Sequence, residues 1–113
     1  MMLDRIAGTL ERYMDLLGVR QKLSASNIAN ADTPGYKTLD IDFQEEFRQA
    51  LANVRPQPIE VANLTTRNDG NNVSLDREAQ LLAENALRFN AASNLLRSQI
   101  RMVRSAIQEG KNG

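Results

Sequence analysis

The sequence contains no cysteine and no histidine. Without cysteine there are no disulfides, thiolate metal sites or thiol nucleophiles, and the lack of histidine removes the commonest general base and metal ligand. Gly-rich phosphate loops and calcium-loop spacings are also absent, and Ser24 and Ser26 have no partner base. The adjacent Glu45 and Glu46 are interpreted as part of a solvated helix face. We therefore expect no catalysis, cofactor, metal site or small-molecule substrate.

Aromatic residues are few, because the 113-residue chain has only two Tyr, three Phe and no Trp. A chain of this size forms at most one modest domain, and so few rings make a large core difficult to build. Lys+Arg and Asp+Glu both count 14, so the formal net charge is zero. That balance gives no long-range attraction to nucleic acid or to anionic membranes.

One local basic patch consists of Arg97, Arg101 and Arg104. No aromatic residues are interleaved with it, so a solvated face, or one that forms salt bridges between subunits, is favoured over a nucleic-acid site. Long hydrophobic runs are missing too, since none approaches the ~18 residues of a membrane span. The N-terminal MMLDRIAG lacks the basic and apolar regions of a secretory signal peptide. The residue pattern by itself favours the cytoplasm.

Two long helical patterns dominate what the sequence does contain. Residues 1–31 hold the first, a helix from about Leu3 to Ala31. Residues 76–113 hold the second, from an N-cap at Asp76 to about Glu109, with Gly110 and Gly113 ending it. Apolar residues recur at helical spacing in the first helix at Leu3, Ile6, Leu10, Tyr13 and Leu17. The corresponding ladder of the second is Leu82, Asn85, Phe89, Ala92, Leu96, Gln99, Val103 and Ala106.

The second helix carries more apolar surface than one partner helix covers. Additional apolar residues flank its ladder at Leu81, Leu95, Ile100, Met102 and Ile107. Two helices packed as an antiparallel or parallel pair each bury one stripe, so the surplus requires other chains. We predict a mainly α, single-domain fold in which the long terminal helices pack as a helical pair or coiled coil.

The intervening segment, residues 32–75, is predicted to be short and partly irregular. Asp42 and Glu45 have capping-box spacing within a short helix from Asp40 to Ala52, whose apolar face carries Phe43, Phe47 and Leu51. An extended linker follows at residues 55–58. Strand character from Ile59 to Thr66 and a turn signal over residues 68–71 then predict one short hairpin, with its pairing partner undetermined.

The stretch SASNIANADTPGYK, residues 24–37, lies where the first helix should end. Its alanines permit close approach of another backbone, and the amides of Asn27 and Asn30 can fix register on a packed surface. Thr33-Pro34-Gly35 stops the helix, since proline disfavours αR before it and glycine accepts positive φ. One interpretation is an ordinary helix end. The other rests on the string from Asn27 to Lys37, which resembles the N-terminal signature of flagellar axial proteins, with Asn27, Asn30, Thr33, Pro34, Gly35 and Tyr36 as signature residues.

Further similarities narrow this resemblance to the flagellar basal-body rod proteins. Hook and distal-rod members are larger between their terminal helices, whereas this chain has only residues 32–75 there. The string from Asp69 to Glu78 and the segments at residues 82–89 and 102–107 are similar to short proximal-rod members. Ala79 and Phe89 depart from the family pattern, which often has Met and Tyr there. The chain is thus similar to proximal-rod proteins over most of its length, least so from Ala50 to Arg67.

The resemblance implies a structural subunit, assembled helically into the drive shaft that connects the inner-membrane ring to the distal rod and hook. Its implied partners are further copies, other rod proteins, the ring or rod adaptor and the flagellar export apparatus. The implied location is the periplasmic rod, reached through the flagellar type III apparatus without a cleaved signal peptide. Phe43 and Phe47 resemble the export-gate motif of such substrates, although the same spacing is common on plain amphipathic helices.

Several residues are predicted to mediate packing or register between subunits: Leu10, Leu17, Asn27, Ile28, Asn30, Asn85, Phe89, Asn90, Leu96 and Val103. Wide apolar faces and small residues for close approach agree with this prediction independently of the resemblance. Two alternatives remain at this point. One is another proximal-rod paralogue, and the other is a cytoplasmic helical adaptor or export chaperone that dimerises through the same stripes.

Overall fold

Two long helices make up most of the computed structural model, which describes residues 2–49 and 55–112. In chain order the elements are α1 (Met2–Ala29), β1 (Leu39–Asp40), α2 (Phe43–Arg48), β2 (Ile59–Glu60) and α3 (Leu75–Asn112). The predicted mainly α fold, with long terminal helices that pack together and a short helix and strands between them, is confirmed.

Helices α1 and α3 pack in antiparallel orientation. Ser24 near the end of α1 donates to Glu78 near the start of α3, with 3.1 Å between Oγ and Oε2, while Leu10 and Ala92 line one groove farther along the pair. The molecule is consequently long and narrow, 71 × 26 × 18 Å. Among the residues whose burial is described, few apolar ones are buried: Leu16, Leu17, Ile41, Val73, Leu81 and Ala92.

The helix ends differ from the predicted ones. α1 ends at Ala29 instead of Ala31, because the N–H groups of Ala31 and Thr33 donate to carbonyls three residues earlier and tighten the chain into turns. Pro34 and Gly35 follow those turns, as the stop signal requires.

The observed ends of the C-terminal helix also differ from the predicted ones. Asp76 is not its N-cap, because α3 begins at Leu75 and the Ser74 Oγ accepts from the Arg77 N–H at 3.3 Å. Gly110 does not terminate the helix, which continues to Asn112. A glycine weakens a helix interior by only about 1 kcal/mol, so the flanking helix formers carry α3 through it.

The middle segment is less regular than predicted. Asp42 caps α2, since its Oδ1 accepts from the Glu45 N–H at 3.3 Å, but α2 ends at Arg48. The remainder of the predicted helix, with Leu51 on its apolar face, lies at residues 50–52, outside the described residues. The rings of Phe43 and Phe47 meet Tyr13 of α1 edge-on at centroid distances of 5.3 and 5.6 Å. This contact holds α2 against the helical pair.

The predicted hairpin does not form, and its strand is shorter than expected; the pairing partner, which was left undetermined, is β1. Strand β2 is only Ile59–Glu60, and it pairs antiparallel with β1, with Leu39 opposite Glu60. The turn at residues 68–71 does form, as the Gly70 N–H donates to the Arg67 carbonyl at 2.9 Å. That turn makes no hairpin, because it packs instead against the turn that follows α1.

Candidate functional site: a buried polar cluster beside exposed apolar helix faces

Asn27, on the last turn of α1, is almost fully buried and joins three elements. Its Nδ2 donates to the Leu39 carbonyl at 2.8 Å and to Glu78 Oε1 at 2.7 Å. Its Oδ1 accepts from the Tyr36 hydroxyl and from the Leu39 N–H, both at 3.1 Å. An amide has two donors and two acceptor lone pairs, so the full capacity of Asn27 is used within the chain.

Glu78 is the fully buried acceptor on α3. Besides Asn27, it accepts from Ser24 Oγ at 3.1 Å and forms an ion pair with Arg77 at 3.0 Å between Nη1 and Oε1. These partners satisfy both carboxylate oxygens, as a buried charge requires. α1 and α3 are therefore locked together at one end of the pair.

A second carboxylate extends this network. Asp40 of β1 lies 2.7 Å from Arg77 Nη2 and 3.0 Å from Arg20 Nη2, measured from its Oδ2. The Arg20 Nε also donates to Asp40 Oδ1 at 3.0 Å. Two guanidinium groups thus balance two carboxylates. We call the connected set the polar cluster: Arg20, Ser24, Asn27, Tyr36, Asp40, Arg77 and Glu78.

Asn71 and Asn72 tie the turn after α1 to the segment before α3. The Asn71 Nδ2 donates to the carbonyls of Asn30 and Thr33 at 2.9 and 2.8 Å. The Asn72 Oδ1 accepts from the N–H and the hydroxyl of Thr38 at 2.7 and 2.9 Å. These side chains replace the backbone pairing that a sheet would provide.

Two glycines allow the turns on either side of this connection to touch. Gly35 has φ +75° and Gly70 has φ +87°, both in the left-handed region that favours glycine. The Gly35 N–H donates to the Asp69 carbonyl at 2.8 Å, and a Cβ on Gly70 would lie 3.3 Å from the Gly35 Cα. The signature and the string from Asp69 to Glu78 are consequently halves of one folded unit.

The structure brings most of the signature residues to this unit. Asn27 and Tyr36 belong to the polar cluster, Gly35 forms the contact between turns, and the Thr33 hydroxyl donates to Asn30 Oδ1 at 3.0 Å. Pro34 is exposed in the turn. Asn30 Nδ2 donates back to the Ser26 carbonyl at 2.9 Å. The signature thus acts within the chain as a connection between α1, β1 and α3.

Sequence reasoning missed the partners of these residues, above all Arg20, Asp40, Asn71, Asn72, Arg77 and Glu78. One signal was available for Glu78, because it lies seven residues before Asn85 and therefore on the same helix face. A polar residue on an apolar ladder indicates a buried, paired side chain.

The residues predicted to pack between subunits divide into two groups. Leu17, Asn27 and Asn85 are buried within the single chain, and Leu10, Asn30, Leu96 and Val103 are partly buried. Phe89, Asn90 and Ile28 are exposed, with 43% of Phe89 accessible. Contact between subunits stays a prediction for all of them.

The exposed apolar residues extend along α3. Leu87 is 72% accessible, and Leu95, Met102 and Ile107 are each more than half accessible. A groove of about 300 Å³ runs on one side of the pair beside Leu95, and another of about 310 Å³ on the other side beside Phe89. Asn85 lines the second groove, where its Nδ2 donates to Gln21 Oε1 at 3.4 Å. Apolar surface of this extent is typical of subunit contacts.

None of the described helices is long and apolar enough to cross a membrane. Within residues 2–49 and 55–112, no group of three or more acidic side chains is arranged to hold a metal ion.

The family model described as "Flagella basal body rod protein" matches residues 15–37, which include the signature. Together with the helical pair, this match defines the class, the rod proteins of the flagellar basal body. Named relatives agree: the flagellar basal body rod protein FlgB of Salmonella typhimurium strain LT2 is 31% identical, with 96% of this chain and 99% of the relative aligned. FlgB of Escherichia coli strain K12 shows the same identity and coverage. FlgB of Borreliella burgdorferi is 29% identical over 81% of this chain and 87% of the relative.

The chain belongs to the FlgB family of flagellar basal body rod proteins. It is a structural rod subunit and not an enzyme, which confirms the resemblance seen from Asn27 to Lys37. The comparisons do not favour the two alternatives, a different rod paralogue or a cytoplasmic adaptor. Rod proteins assemble with other rod and basal-body proteins, which is the setting for the exposed faces of α3.

Proposed function

We propose that this chain forms part of the proximal rod in the periplasmic space, where it stacks helically with further copies and with other rod proteins. The shaft so formed connects the inner-membrane ring to the distal rod and hook and carries torque. The observation that supports this most directly is the run of large apolar side chains exposed along α3 of a 71 Å helical pair. The described residues of a single chain leave these side chains uncovered.

The polar cluster and the exposed faces have separate roles in this proposal. The cluster fixes how α1, β1 and α3 are joined, so that each subunit presents its faces in one arrangement. Phe89 and Asn90 then contact neighbouring subunits, with Ile28 contributing from α1. Leu10, Leu96 and Val103, partly covered within the pair, become fully buried in the rod. Asn27 and Asn85, buried within the chain, contribute to register between subunits by fixing how α1 and α3 are joined.

We also propose that the chain reaches the periplasm through the flagellar type III apparatus without losing a signal peptide. Phe43 and Phe47 are packed on Tyr13 in the folded chain. The export gate can therefore read them only in an unfolded chain. Intact-mass measurement of the protein in purified basal bodies tests this, since an unprocessed mass supports the proposal and a shortened N-terminus contradicts it.

The position in the rod is tested by deleting the gene in the native organism. We expect arrest of the basal body before the distal rod, and recovery of complete rods when the wild-type gene is restored. Electron microscopy of purified basal bodies measures both outcomes. Complete distal rods in the deletion strain would contradict the proposed position.

A further inference from the structure

The outward face of α1 carries an acidic row. Gly8, Glu11, Asp15 and Gly18 follow each other at spacings of three and four residues and so share one helix face. Leu17, which packs towards α3, lies on the opposite side of α1. Glu11 and Asp15 are exposed, and a Cβ added at either glycine would meet nothing within 4 Å. The acidic row is thus a negatively charged strip without bulky side chains at its two ends.

The C-terminal part of α3 carries a basic row with the same spacing. Its members, all exposed, are Arg97, Arg101, Arg104, Gln108 and Lys111. Residues 97–111 contain four basic side chains and one acidic side chain, Glu109. Ile107 borders the row and is 56% accessible. The basic row is therefore a positively charged strip with an apolar margin.

The end of α3 lies beyond the cover that α1 provides. Asp4 and Ala7, on the first turns of α1, line one groove with Val103 and Arg104, so the following residues of α3 extend past the start of α1. Ile107 and Lys111 line a groove on this extension, and among the described side chains its other lining residues, Arg104 and Gln108, also belong to α3. The described side chains of α1 therefore leave this face open to a partner.

The two charged side chains of the acidic row, Glu11 and Asp15, are exposed on the side of α1 away from Leu17, whereas Gly18 at one end of the row borders the groove between α1 and α3. In the described part of the chain, Glu11 and Asp15 of the first row form no ion pair, nor do Arg97, Arg104 and Lys111 of the second. Both rows therefore keep their charge available for a neighbour.

We propose that the acidic row of α1 in one copy docks on the basic row of α3 in a second copy. This proposal rests on the proposed rod function and adds to it which surfaces meet. The matching spacings bring the opposite charges into register, and burial of Ile107 adds apolar contact. Like charges disfavour pairing of two identical rows. Where the same two copies do not return this contact it is heterologous, and a repeated heterologous contact that does not close builds an open helical assembly.

Charge reversal in the native organism tests the proposal. The acidic-row variant is Glu11→Lys with Asp15→Lys, and the basic-row variant is Arg101→Glu with Arg104→Glu. A third chain carries all four changes. The matched control reverses the exposed pair of Glu84 and Arg88, which lies on another part of α3. Each chain replaces the wild type, its level is measured by immunoblot and its helicity by circular dichroism, and rods are counted in purified basal bodies.

We expect loss of complete rods with either two-residue variant, and recovery with the four-residue chain, in which the rows are again complementary. Co-expression of the two defective variants should also restore rods, because each supplies the row that the other requires. The control should assemble like the wild type. A four-residue chain no better than its parents, or a two-residue variant that builds normal rods, would overturn the proposal. Complete rods in a strain that lacks the gene would instead reject the proposed function itself.

Discussion

The Nδ2 of Asn27 lies 2.7 Å from the Oε1 of Glu78, a hydrogen bond between residues 51 positions apart and buried on both sides. It connects the end of α1 to the start of α3, where the antiparallel pair would otherwise separate. The small apolar core makes this polar connection more important to the fold than it would be in a larger domain.

Replacing Asn27 by alanine should destabilise the folded chain by about 1–3 kcal/mol, because the partly buried Leu39 backbone N–H loses its acceptor and the buried Glu78 loses a donor. Urea unfolding followed by circular dichroism measures the change. Asn90→Ala is the control, since Asn90 is exposed on α3 and should tolerate the change. Equal stabilities of the two variants would show that the cluster does not hold the pair together.

Asp40→Asn tests the charge balance of the polar cluster. It leaves the guanidinium groups of Arg20 and Arg77 close together with one counter-charge removed. We expect the free energy of unfolding to fall by about 3 kcal/mol. This is the lower end of the range for breaking a buried ion pair, because the side chains of Arg20 and Arg77 remain 17% and 23% accessible. The control is Asp42→Asn, because asparagine caps a helix as well as aspartate does. A loss no greater than that of the control would contradict the assigned role.

The helices could be predicted from sequence because their periodicity is local. The apolar spacings at Leu10 and Leu17 recur within a few turns, so the sequence of each helix by itself indicates which of its faces is apolar. The hairpin could not be predicted correctly, since β2 pairs with β1 across α2 and no turn signal marks a partner so far away. A two-residue strand also carries too little alternation to indicate its register.

Much of the polar cluster escaped prediction for a related reason. Asn27 was singled out from its surroundings, but the identity of its partners depends on how α1 and α3 align. Arg20 and Asp40 belong to different elements, and each by itself resembles an ordinary surface charge. Only the packed arrangement shows that these charges neutralise one another.

Gly70→Ala should destabilise the chain by about 1–2 kcal/mol, because alanine resists the left-handed conformation that Gly70 adopts. The added Cβ would also press on the backbone of Gly35 at 3.3 Å. Gly18→Ala should instead stabilise the folded chain by about 0.5–1 kcal/mol, since Gly18 lies inside α1 with open space around its Cα. Thermal unfolding of the purified chains measures both. Stabilisation by the change at Gly70 would contradict this account of the turn.

Leu96→Asp and Phe89→Asp should abolish incorporation into the rod while the protein is still expressed. Both changes place a charge on a face that assembly buries, and an unpaired charge there opposes docking. The more exposed Phe89 separates assembly from folding, so its variant should keep the wild-type helicity. The control is Gln80→Asp, at an exposed position of the same helix. Cells that carry this variant should swim normally. Motility in soft agar and counts of basal bodies measure rod incorporation in each strain. Full flagella in the strain with the Phe89 variant would contradict the proposed interface.

The double change Phe43→Ala with Phe47→Ala separates export from packing. Both rings contact Tyr13, so the change weakens the folded chain, yet export acts on the unfolded chain and should not depend on that loss. Tyr13→Ala is the matched control, because it removes the contacts of both rings with α1 at Tyr13 without altering the proposed motif. We expect a reduced exported fraction for the double variant and a normal fraction for the control, measured by immunoblot of periplasm and cytoplasm. Equal export of both would mean that Phe43 and Phe47 serve only to hold α2 against the helical pair.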